Sequence, residues 1–352
     1  MIDGCLNHRH DIASRGRFAL RKSWRSPIQK AGEPDPESQY KWLHDIADTA
    51  APEIRDAFLK AIEDLRGSLK EAELAKALES GSVDRVLEVL GIDDTLKEAL
   101  RATILPPLED VLIDAGRGTT AATFPKDGSL QMRFDISNPN VVRYIQNNDL
   151  RLIQQVTDDT RGAVRQIVAD ALQFGGHPRD QARAIRELVG LTEKQAAAVE
   201  NFRNMLEGGD RAALTRELRD RRFDPTLDRA LGSDAVDNLT QDQIDTMVAR
   251  YRDRMLTMRA ETIARTETIN AAEAGKQMAW EQAANNGLLT RSKLRQGWLV
   301  TPDDRLCLIC AAIPLLNPDG VPLGGFFTTP IGPVLRPTVH PQCRCDLYLM
   351  AF

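Results

Sequence analysis

Four of the chain's five cysteines fall within residues 293–350, in two tight clusters separated by a Gly/Pro-rich loop. The first cluster reads Asp303-Asp304-Arg305-Leu306-Cys307-Leu308-Ile309-Cys310, and the second reads His340-Pro341-Gln342-Cys343-Arg344-Cys345. A Cys-x-x-Cys pair brings two sulfurs to one point from a single turn. A His-x-x-Cys-x-Cys cluster returning from the far side of a loop supplies the rest of a tetrahedral metal sphere. Cys307 and Cys310 are the surest ligands, followed by Cys343 and then by His340 and Cys345, so more donors are offered than a tetrahedron takes. Such a closed site does no chemistry of its own. It stabilises a unit whose core is too small, and zinc binding to finger peptides contributes on the order of 10–16 kcal/mol at neutral pH. Structural zinc is the expected cofactor. The alternative is that the same thiols pack reduced and unliganded, or pair as disulfides. A catalytic metal would need an open position and a general base. Asp303 and Asp304 follow Pro302 and read more simply as a turn, with Asp304 beside Arg305 as a local ion pair. Cys5, His8, His10 and His177 have no ligand-like neighbours in sequence.

The rest of the chain sets the context for this knuckle. A length of 352 residues supports a sizeable core and two or three domains. With 42% hydrophobic and 28% charged residues, wholesale disorder is excluded. A net charge of −5 argues against a strongly basic nucleic-acid binder, although local basic faces remain open. No apolar run approaches the ~18 residues of a membrane span. The N-terminus lacks the apolar core of a secretory signal, which points to the cytosol, where clustered thiols more often bind metal than form disulfides.

Residues 1–36 read as a flexible arm that is locally basic, through Arg9, Arg15, Arg17, Arg21, Lys22, Arg25 and Lys30. Beyond it the periodicity is helical. Trp42, Ile46, Ala50, Ile54, Phe58 and Ile62 line one face, and Gly81-Ser82 and Gly91-Ile92-Asp93-Asp94 mark stops and new starts, the latter with Asp at the cap. Residues 119–124 have strand-like character, and 129–136 alternate as a strand would. The stretch 141–174 reads as a helix pair broken near the capping residues Thr157-Asp158-Asp159-Thr160. Thr192 with Gln195 and Thr240 with Gln243 predict capping boxes, and the mixed charges of 211–223 predict a solvated helix face. A long helix runs from about 239 past small residues at Ala271, Ala272, Ala274 and Gly275, with Glu261 spaced to pair with Arg265. Residues 294–300 and 345–350 predict two strands that pair, with the cysteines at one end. The expected fold is mainly α, a helical body with a small C-terminal α+β unit tied by the Cys/His cluster. The expected divisions are 1–36, 37–135, 136–240 and 241–352.

Taken in order, Ala264-Arg265-Thr266-Glu267, Gly275, Gly297-Trp298, Asp303/Asp304-Arg305, Cys307/Cys310 and His340-Pro341-x-Cys343-Arg344-Cys345 resemble the signature of the phage head morphogenesis family. These are minor head proteins similar to protein F of phage Mu. The resemblance is firm over 245–349, looser back to about 134, and does not reach residues before about 110. The family tends to place a Pro-Pro step before the His, where this chain has Arg336-Pro337-Thr338-Val339. What the resemblance implies is a low-copy, non-enzymatic capsid component near the portal vertex, needed for head assembly or DNA delivery. Its implied partners are the portal and major capsid proteins, with self-association and packaged DNA as further contacts and no membrane. Its location would be the virion head, and the host cytoplasm during assembly. It also implies structural-motif roles for Arg265, Glu267, Gly275, Trp298, Asp304, Arg305 and Arg344. A DNA-binding module, with the basic arm and with Arg336 and Arg344 beside the knuckle, is one alternative. An ADP-ribosyltransferase is another, but the Glu-x-Glu pair on a late strand that it needs is missing, since no Glu follows Glu281.

Overall fold

A computed structural model describes residues 36–123, 132–174, 177–231, 239–301 and 303–351. The basic arm up to residue 35, with Cys5, His8 and His10, lies outside these residues, as do 129–131 of the 129–136 segment. The described chain is mainly helical, with a small antiparallel sheet near the C-terminus, as expected. Its helices are α1 (Pro36–Ser68), α2 (Glu71–Glu79), α3 (Val83–Leu90), α4 (Lys97–Thr123), α5 (Pro139–Phe174), α6 (Pro178–Leu188), α7 (Glu193–Glu207), α8 (Asp224–Leu231), α9 (Gln241–Asn285) and α10 (Leu308–Leu316). The strands are β1 (Leu294–Leu299), β2 (Val321–Pro322) and β3 (Asp346–Ala351). Among the described residues, no helix is long and apolar enough to cross a membrane.

Two compact units form, each from non-contiguous stretches. One comprises the described residues of Met1–Ala50, Glu109–Val141 and Arg265–Phe352, and the other comprises Ala51–Leu108 and Val142–Ala264. The second unit is a helical assembly around Phe58, Ile62, Phe202 and Tyr251, with the Phe202 and Tyr251 rings stacked at 4.4 Å. Its buried Arg259 donates to the carbonyl of Gly190 at 2.6 Å and pairs with Asp159 at 2.9 Å, with its guanidinium over the Phe58 ring.

Several local expectations are corrected here. α5 is one unbroken helix, because Thr157 and Thr160 donate their hydroxyls back to the carbonyls of Ile153 and Val156 instead of capping a new start. Asp159, one of the expected caps, is the partner of Arg259. Residues 119–123 are the last turn of α4 and not strand-like, with Thr120 and Thr123 bonded to carbonyls one turn back. Residues 132–135 form no strand, and Phe134 packs on Gly116. Gly91 closes α3 in the left-handed conformation (φ 61°), and a π-helical turn, Ile92–Leu96, follows without a side-chain cap. The charged 211–223 stretch is a pair of capped 3-10 turns and not a helix face, and Asp220 is buried there against Arg222 and Arg254. Both predicted capping boxes form, at Thr192/Gln195 and at Thr240/Gln243.

In the first unit, β1 and β3 pair from Leu294↔Ala351 to Leu299↔Asp346, which leaves Cys345 at the end of the ladder. β2, too short to read from sequence, adds to the other edge of β1. The expected tightness at Gly275 is real. A Cβ there would lie 2.1 Å from the Leu112 carbonyl oxygen of α4, so the α4 and α9 backbones touch. At Gly297 the Tyr348 ring fills the space of the missing side chain. Gly275→Ala should therefore force α4 and α9 apart and destabilise the protein by about 1–3 kcal/mol, read as a lower urea midpoint. Gly67→Ala, where an added Cβ would meet nothing within 4 Å, is the control that should not destabilise.

Candidate metal centre

The segment after β1 turns through Asp303-Asp304-Arg305 and enters α10 at Cys307. Cys307 acts as the helix N-cap, and its sulfur accepts the Cys310 backbone N–H at 3.4 Å. A sulfur at a helix N-terminus is favoured as thiolate by the exposed N–H groups. The chain returns through His340 and reverses at Gln342, a non-glycine residue in the left-handed region (φ 58°), before Cys343. That conformation carries a cost of about 1 kcal/mol or more. It is held because the Gln342 N–H donates to the Thr266 hydroxyl of α9 at 2.9 Å.

All five sequence-predicted ligands converge. Their donor atoms form two triads that share Cys310: Cys307, Cys310 and His340, and Cys310, Cys343 and Cys345, each with its atoms within 4.8 Å of one another. The His340 Nε2 lies 3.2 Å from the Cys307 sulfur and 3.1 Å from the Cys310 sulfur, and the Cys310 and Cys343 sulfurs are 3.8 Å apart. A tetrahedral centre with metal–sulfur bonds of about 2.3 Å spaces its sulfurs about 3.8 Å apart, and places a sulfur and a nitrogen about 3.5 Å apart. The cluster could hold a metal ion. His340 is oriented for that task, because its Nδ1 donates to the Pro341 carbonyl at 2.8 Å and turns Nε2 toward the sulfurs. Cys310, Cys343 and Cys345 are buried, in a core shared with Trp298, Phe327 and Leu347. Trp298 and Phe327 meet edge-to-face at 5.1 Å, and the Trp298 indole N–H lies beside Cys345.

Protons are divided unevenly in this cluster. The hydrogen bond from Cys310, then that from His340, pulls Cys307 down to about 3 against the opposing effect of burial. Cys343 is likewise pulled well below the ordinary thiol value, first by Cys310 and then by Cys345. Cys310 is pushed up by the neighbouring sulfurs, Cys307 first, and Cys345 is pulled down by Cys310 but pushed up on balance by Cys343 and by burial. Burial works against the His340 imidazolium, but the hydrogen bonds with Cys307 and the Pro341 carbonyl and the charges of Cys343 and Cys307 together outweigh it and lift the group to about 9. A divalent cation on these atoms displaces the protons that remain.

The residues between the ligands bind the clasp to the helices. Lys276 of α9 is buried and pairs with Asp346 and, at 3.3 Å, with Glu273; it also donates to the Leu347 carbonyl at 3.1 Å. Glu273 accepts the Leu347 N–H at 3.2 Å. Burial first, and the Asp346 charge next, push the Glu273 carboxyl well above its usual range. The Arg344 guanidinium forms a bidentate pair with Asp303, one arm at 2.7 Å, and that pair holds Asp303 down at about 2. The Arg344 carbonyl accepts from Thr301 at 2.9 Å and from His44 of α1 at 3.4 Å.

Of the motif residues expected from sequence, Trp298, Gly275, Arg265 and Arg344 bear on this site. Asp304 is exposed, and Asp303 is the carboxylate that pairs with Arg344. Arg305 is exposed, 3.5 Å from Asp303. Glu267 accepts from the Asn270 side chain at 3.4 Å. Arg265 pairs with Asp48 at 2.7 Å and not with Glu261. Sequence reasoning gave Thr266 no contact of its own and missed His44, Glu273 and Lys276. The last two carried a signal, a charged pair one turn apart in a helix otherwise lined by alanines.

Cys310→Ser removes the corner common to both triads and should abolish metal uptake, whereas Cys345→Ser should leave a complete four-donor set; metal-to-protein ratios check this. Metal uptake by the apo protein should release protons, measurable in weakly buffered solution. Asp303 titrates in the folded protein below the ~3.9 of an unfolded carboxyl. The Asp303–Arg344 contribution is thus complete above that value and is lost as pH falls through about 2. The stability gap between wild type and Asp303→Asn should be full at pH 7 and shrink across that acid window in denaturant titrations.

No family model, curated protein or solved structure matches this chain.

Proposed function

We propose that this chain is a structural, non-enzymatic component of a tailed-phage head, a minor head protein whose C-terminal unit is fastened by zinc. The observation that carries this reading is that eight residues of the family-like signature belong to the clasp or to the helix and strand that carry it. Arg265, Gly275, Trp298, Cys307, Cys310, His340, Cys343 and Arg344 either supply donors or hold the helices and strands around them. Zinc is the metal that suits several thiolates and an imidazole in a closed tetrahedral site. The structural reading is supported by the carboxylates packed around the clasp, since Asp303 is taken by Arg344 and Asp346 by Lys276. The same unit exposes Leu308, Leu315, Phe326 and Ile331, apolar side chains suited to docking against the portal or capsid protein.

The DNA-binding alternative gains no support from the clasp. Arg344 is bound by Asp303, and Arg336 donates to Gln277 at 3.1 Å, so both guanidinium groups are engaged within the fold.

Purified protein should contain about one equivalent of zinc, and tagged protein should co-sediment with heads or their precursors at low copy number. Cys310→Ser should lower the yield of infectious particles. Absence of the protein from both mature particles and precursors would sink the assembly role, independently of the metal content.

A further inference from the structure

A chain of polar contacts enters the clasp from the helical side and uses none of the metal-binding atoms. Asp48 of α1 holds Arg265 of α9 at 2.7 Å, and the other arm of the same guanidinium lies 3.0 Å from His44 Nδ1. An arginine can only donate, so Nδ1 accepts and the His44 proton sits on Nε2. That nitrogen faces the Arg344 carbonyl at 3.4 Å, and the Thr301 hydroxyl donates to the same oxygen at 2.9 Å. The carbonyl therefore has a donor on each lone pair. It belongs to the peptide unit that joins Arg344 to Cys345 and lies one residue past Cys343, so fixing its plane fixes how the last two sulfurs are presented.

We propose that Arg265 is a positioning residue for the metal centre, acting through His44 on the backbone between Cys343 and Cys345. This rests on the metal reading above. Arg265 sets the tautomer of His44, His44 sets the orientation of the Arg344 carbonyl, and Asp48 holds the guanidinium in place. Lysine cannot replace it, because one ammonium on a flexible stem does not bridge Asp48 and His44 with a rigid fork. Outer partners that orient ligands in this way typically alter metal affinity by roughly 10–100-fold when lost.

The test measures Zn²⁺ affinity by competition with a chromophoric chelator for the full chain, for Arg265→Lys, for His44→Gln and for Arg259→Lys. The last removes a buried guanidinium whose polar partners among the described residues are Asp159 and the Gly190 carbonyl, and it controls for general loss of stability. The expected result is a roughly 10–100-fold weaker affinity for Arg265→Lys and His44→Gln, with the Arg259→Lys value unchanged. The visible spectrum of Co²⁺-loaded protein should shift in the first two variants alone, a change that a merely structural role would not produce. If Arg265→Lys fails to fold, His44→Gln, which keeps the arginine and its Asp48 pair, decides the matter. Wild-type affinity in the folded relay variants, or equal weakening in the control, overturns the proposal and leaves the metal reading standing. Failure of the wild-type chain to take up Zn²⁺ overturns both.

Discussion

Between His340 and Asp346 the backbone must satisfy two sets of partners at once. His340, Cys343 and Cys345 turn inward to the other sulfurs, while Gln342, Arg344 and Asp346 are bonded to Thr266, to Thr301 with His44, and to Lys276. The two sets interleave, so neither can be rearranged alone. A shift that improved ligand geometry would break a contact with α9, and a shift of α9 would pull a sulfur out of place. The left-handed conformation of Gln342 follows from this demand, since the chain must reverse within one residue to present His340 and Cys343 on the same side.

The buried charges make the demand strict. Lys276, Glu273 and Asp346 sit where water does not reach, and charges there are tolerated only with close partners. One ammonium faces two carboxyl groups, and the upward shift of Glu273 brings the triad toward neutrality. The backbone N–H and C=O of Leu347 take up further polar capacity of Glu273 and Lys276. Removing one member of such a set typically destabilises by about 3–5 kcal/mol because the others are left unpaired. The geometry also fixes the register of β3 against α9, since sliding the strand by one residue would replace Asp346 with an apolar neighbour.

Much of this architecture was legible from residue spacing. The Cys-x-x-Cys and His-x-x-Cys-x-Cys clusters located the site, and the two flanking apolar runs located β1 and β3, because both signals are local. Gly275 and Trp298 were also singled out. The partners of Arg265 were not legible, since Glu261 is the near choice in sequence and Asp48 lies far away on another helix. Capping residues misled at 157–160 because threonine hydroxyls can return to the carbonyl one turn back as readily as they open a helix. Asp303 and Asp304 are indistinguishable by composition, and only the fold selects which one meets Arg344. The grouping of Met1–Ala50 and Glu109–Val141 with Arg265–Phe352 depends on long-range packing that no local window contains.

The two triads differ in depth: Cys307 and His340 are half-buried, whereas Cys310, Cys343 and Cys345 are enclosed. A metal ion entering from solvent would meet Cys307 and His340 before the enclosed sulfurs, with Cys310 common to both groups of donors. Such a gradient of depth would make release slower than capture, a kinetic asymmetry that suits a lasting fastening.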